Sequence, residues 1–71
     1  MNESRSDKFK RLATQRTNAV LDKLRLLGNL SNKSNYDYSP EVIEKIFKTL
    51  QEQFNHAKTK FLIKENKRFQ L

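Results

Sequence analysis

Apolar residues recur along this chain at the spacings of two amphipathic helices, with a polar tract between them. In the first half the stripe reads Phe9, Leu12, Ala13, Val20, Leu24 and Leu27. Apart from the adjacent Leu12 and Ala13, its steps are three, four and seven, one face of a helix with 3.6 residues per turn. Ser6 or Asp7 could cap its start. Gly28, the only glycine, follows the last stripe residue, where a left-handed residue commonly ends a helix. The pattern therefore predicts a helix over about 7–27 and a loop over 28–38.

The loop contains Ser31, Asn32, Lys33, Ser34 and Asn35, and the short serine and asparagine side chains compete with helix by bonding their own backbone. Tyr36 and Tyr38 add large aromatic surface to it. A second helix then has a clear start signal. Ser39 is the cap, Pro40 takes the first helical position, and Glu41 sits where the helix dipole favours an anion. Its apolar positions, Ile43, Phe47, Leu50, Phe54, Ala57 and Phe61, alternate steps of four and three. That is a heptad seam, widened by Ile46. The expected helix runs over about 40–63, with residues 64–71 as a tail that includes Phe69 and Leu71.

Two long helices joined by a short connection predict an all-α fold, an antiparallel two-helix hairpin in a single domain. The apolar faces are unequal. Leu12, Ala19, Val20, Leu21, Leu24, Leu26 and Leu27 cover more than half of the first helix's circumference, more than one neighbour can cover. A second copy completing a four-helix bundle would cover the rest, as would a tail folding back through Phe69 and Leu71. Arg16 lies within the apolar arc. It either snorkels to water or is paired, with Glu52 and the ring of Phe54 within reach in a hairpin.

Composition narrows the function more than it names it. Seventy-one residues without cysteine exclude disulfides and thiolate chemistry. The single histidine, His56, reads as a polar flank residue. Glu41 and Glu44 read as dipole-compensating carboxylates. No glycine-rich loop or nucleophile–base constellation occurs, so the expectation is a noncatalytic protein without metal, cofactor or small-molecule substrate. No apolar run is long enough to span a membrane, and residues 1–7 lack the apolar core of a signal peptide. The cytoplasm is the expected compartment.

Charge changes the picture most. The formal net charge is +7. Residues 1–16 carry a net of +3, residues 17–54 a net of zero, and residues 55–71 a net of +4. In a hairpin both ends meet, and one pole becomes strongly basic. A concentrated basic pole attracts polyanions. Lys8, Lys10, Arg11, Lys58, Lys60 and Lys64 are the candidate nucleic-acid contacts, with Phe9, Phe61 and Phe69 among the basic residues as candidate stacking platforms. The alternative is a protein-interaction module, taking an acidic or other protein partner, built on Tyr36, Tyr38, Asn32 and Asn35 of the loop.

The stretch Arg16-Thr17-Asn18, followed by Leu26-Leu27-Gly28-Asn29-Leu30-Ser31-Asn32-Lys33-Ser34-Asn35-Tyr36-Asp37-Tyr38, resembles small bacterial proteins of unassigned function. The resemblance covers roughly residues 9–61. It implies a bacterial origin and a helical unit, and it carries no mechanism.

Overall fold

In a computed structural model the protein is helical throughout its regular structure. The structure describes residues 2–66, with side chains as far as Leu62. Among the described residues three elements follow one another: α1 over Arg5–Gly28, a single 3-10 turn over Asn29–Ser31, and α2 over Pro40–Asn66. No strand occurs among the described residues. The chain divides into two units, Met1–Asp37 and Tyr38–Leu71.

In the first unit, α1 begins earlier than its stripe suggests. The cap is Ser4, ahead of Ser6 and Asp7. Its Oγ accepts a hydrogen bond from the Asp7 amide at 3.0 Å, and its carbonyl accepts from the Lys8 amide at 2.9 Å. Ser6 and Asp7 lie in the first turn instead, where the Asp7 carboxylate opposes the positive end of the helix dipole.

The far end also departs from expectation. Gly28 is not a left-handed terminator; it is right-handed helical, with φ −61° and ψ −28°. No described residue has a positive φ. The helix tightens into the 3-10 turn, and the Asn29 amide bonds back to carbonyls of the last turn. Such tightening is a common way to satisfy the final carbonyls. The 3-10 turn packs on the end of α1, and Leu27 is half-buried there.

Asn32 then sets the course of the loop. Its side-chain oxygen accepts from the Ser34 amide at 2.9 Å. Its carbonyl accepts from the amides of Asn35 at 3.1 Å and Tyr36 at 3.0 Å. This is an asparagine-nucleated turn of the kind its side chain favours.

In the second unit, α2 starts as the sequence indicates. The Ser39 Oγ accepts from the Val42 amide at 3.2 Å, and its carbonyl accepts from the Ile43 amide at 3.2 Å. Pro40 opens the helix and Glu41 stands in its first turn. The helix runs on to Asn66, taking in the first three residues of the expected tail. Phe69 and Leu71 lie outside the described residues. Within the helix, the Thr59 hydroxyl donates to the Asn55 carbonyl at 2.8 Å, and the Gln51 amide donates to the Asn55 side chain at 3.3 Å.

No described residue is buried. Leu12, Ala13 and Leu27 are half-buried in the first unit; Tyr38, Ser39, Ile43 and Ile46 are half-buried in the second. The rest of both apolar stripes is exposed, including Val20, Leu21, Leu24 and Leu26 on α1 and Phe47, Leu50 and Phe54 on α2. Arg16 is exposed too.

Candidate nucleic-acid interface

The candidate cations fall into two sets, one at the start of α1 and one in the last turns of α2. On α1, Arg5, Lys8 and Arg11 follow one another at steps of three. At 100° per residue they share one strip of the helix. Lys10 lies about 160° round the helix from Lys8. It therefore presents its charge on another side. All four are exposed.

Arg11 is already engaged. Its Nε donates to Glu3 Oε2 at 2.8 Å and its Nη2 donates to Glu3 Oε1 at 3.0 Å. This two-pronged pair is the strong geometry for arginine and carboxylate. The Glu3 carboxylate pushes the Arg11 guanidinium above its ordinary range. Both side chains remain substantially open to water, 48% for Arg11 and 38% for Glu3. A phosphate reaching this guanidinium must displace Glu3. Sequence spacing gave no hint of the pair, because its eight-residue separation lies outside the three- and four-residue rule for helix neighbours. Glu3 precedes the helix, so the chain before the cap folds its carboxylate back across two turns.

On α2 the cations again divide. Lys60 and Lys64 are four residues apart and share a strip, while Lys58 lies on the other flank of the seam that carries Phe61. Lys58 and Lys60 are exposed. Lys64 lies on the helical backbone, with its side chain outside the described residues. Phe61 is 63% exposed and Phe9 is 55% exposed. The α1 set belongs to the first unit and the α2 set to the second.

The loop residues separate by role. Asn32 uses its side chain and carbonyl to hold the turn, which spends much of its capacity inside the chain. Asn35 donates its amide to that turn. Tyr36 follows directly and is 47% exposed, whereas Tyr38 is half-buried beside the α2 cap. Among the described residues no group of three or more His, Asp or Glu side chains is placed to hold a metal ion. No helix of the described residues is long and apolar enough to cross a membrane.

No protein-family model matches the chain, no curated protein matches its sequence, and no solved structure matches its fold.

Proposed function

We propose that this chain is a noncatalytic accessory protein that binds nucleic-acid backbones electrostatically. In this reading α1 and α2 fold back as an antiparallel hairpin, and the start of one helix and the end of the other form a single basic pole. The observation that carries the reading is the segregation of charge. The whole excess of +7 lies in residues 1–16 and 55–71, and Lys8, Lys10, Lys58 and Lys60 are all exposed on regular helix. Helical spacing holds these cations in fixed positions, which suits a regular array of phosphates. Phe9 and Phe61 add rings on which unpaired bases can stack.

The test is a fluorescence-anisotropy titration of generic duplex DNA and single-stranded RNA. It compares the wild type with a variant in which Lys8, Lys10, Lys58 and Lys60 are replaced by glutamine. Four lost phosphate contacts weaken duplex binding by about three and a half orders of magnitude at roughly 0.1 M salt. Tyr36→Ala leaves binding unchanged. Equal affinity of the charge-depleted variant rejects the proposal.

A second reading, a protein-interaction module, is favoured by one observation. Tyr36 is nearly half exposed directly after a turn pinned by three hydrogen bonds to Asn32. A ring held open on a fixed turn loses little entropy on binding. Under this reading Tyr36→Ala abolishes capture of the partner, and the charge-depleted variant retains it.

A further inference from the structure

The segment ahead of α1 is folded onto the helix rather than trailing from it. Ser4 is extended, at φ −70° and ψ 165°. The Asp7 amide on its Oγ and the Lys8 amide on its carbonyl fix it at the cap. Glu3 stands one residue before that anchor. Arg11 stands two turns beyond it, about 10 Å along the axis. Helical side chains lean toward the start of their helix, which brings the guanidinium down to where the chain enters. Both oxygens of Glu3 meet it there, Oε2 at 2.8 Å from Nε and Oε1 at 3.0 Å from Nη2.

The contact between Arg25 and Asp22, farther along α1, is of a different kind. It is single-pronged at 3.4 Å, and its side chains are 70% and 67% exposed. An isolated exposed contact of that sort contributes little. The Glu3 pair has the two-bond geometry in which arginine holds an oxyanion.

We propose that Glu3 is an internal stand-in for a phosphate, and that the segment carrying it closes an anion site on Arg11. Two oxygens of a carboxylate and two of a phosphate present the same pattern to the edge of a guanidinium, so the two ligands exclude one another. Lys8 lies three residues before Arg11, about 4.5 Å along the axis and 60° round it, and is exposed. A chain of linked phosphates can therefore engage Lys8 and Arg11 together. The proposal deepens the nucleic-acid reading by giving one of its cations an autoinhibitory contact, and it rests on that reading only for which polymer is the natural ligand.

The closed site selects anions by length. Glu3 is tethered beside Arg11, at an effective concentration on the order of millimolar or above. A free phosphate ion has to displace it from solution. A polyphosphate held at Lys8 is tethered too, and presents its next phosphate to Arg11 on comparable terms. An exposed two-pronged pair favours its closed form by about fivefold. That suppresses binding of single anions without barring a polymer.

The experiment follows arginine side-chain Nε–H signals by NMR in the nitrogen-labelled full chain at low salt, with inorganic phosphate and tripolyphosphate as probes. Arg5 is the internal control, since it shares the strip and has no ion pair among the described residues. Glu3 lies outside the helix, so Glu3→Gln leaves helix content by circular dichroism as it was. Hydrogen exchange at Arg11 Nε is about fivefold slower in the wild type than in Glu3→Gln, and exchange at Arg5 is the same in both. Inorganic phosphate shifts the Arg11 signal of Glu3→Gln at about one-fifth of the concentration the wild type requires. Tripolyphosphate narrows that gap. Equal responses of the two chains to inorganic phosphate overturn the proposal, as does an undiminished gap with tripolyphosphate or Arg11 exchange that ignores the substitution.

None of these readouts involves nucleic acid or the lysines of α2. Failure here leaves the basic-pole reading standing. A wild-type chain that does not bind duplex, while Arg11 behaves as stated, overturns that reading alone.

Discussion

Glu3→Gln tests whether the ion pair on α1 restrains the binding surface. The Glu3 carboxylate occupies two donors of the Arg11 guanidinium, at 2.8 and 3.0 Å. Glutamine keeps the side chain's length but loses the charge, and the guanidinium becomes available to phosphate. One added phosphate contact steepens the dependence of log K on log salt by about 0.9 for duplex DNA. At roughly 0.1 M salt that corresponds to about eightfold tighter binding, and the gain vanishes as salt approaches about 1 M. The assay is an anisotropy titration at several salt concentrations, wild type and variant side by side. A matching Arg11→Gln variant loses little in the wild-type background, because its guanidinium was already occupied. In the Glu3→Gln background it removes the eightfold gain. Equal slopes for wild type and Glu3→Gln would refute the reasoning, since they would mean that Arg11 is either free in both or remote from the ligand in both.

Three further substitutions test local structure. Gly28→Ala meets no atom within 4 Å of the added Cβ and enters a right-handed helical backbone. It stabilises the fold by about 0.5–1 kcal/mol. Thermal melting at fixed concentration then shows a higher midpoint, and a lower one would mean that the glycine is left-handed in solution. Ser39→Ala removes the acceptor of the Val42 amide and costs about 1 kcal/mol, read as a lower denaturant midpoint with an unchanged slope. Ser4→Ala removes the acceptor of the Asp7 amide. Hydrogen exchange at that amide accelerates about fivefold while exchange in α2 stays as it was.

The helices were legible because their signals are local. The Ser39-Pro40-Glu41 start fixed the beginning of α2 to the residue, since a cap, a preset φ and a dipole-compensating charge all act within four positions. Ser4 was harder to read. Ser4, Ser6 and Asp7 are all good caps, and the apolar stripe begins too late to choose between them. Gly28 misled for a physical reason. Glycine permits a left-handed terminator without requiring one, and here Asn29–Ser31 ends the helix by tightening it. The Arg11–Glu3 pair was invisible because it joins a helix to the chain before its cap, beyond any periodic rule. The division of the lysines followed directly from 100° geometry. The net charge of a segment does not record which side of a helix each cation takes.

The central claim is that the basic ends of this chain bind a polyanion through its phosphates. The most direct measurement is the affinity of the wild-type chain for generic duplex DNA at salt concentrations from about 50 to 200 mM. With Lys8, Lys10, Lys58, Lys60 and Lys64 in contact and Arg11 held by Glu3, the log–log slope is about −4.5, and affinity falls several-hundredfold across that range. A slope near zero, or no binding at the lowest salt, would contradict the account.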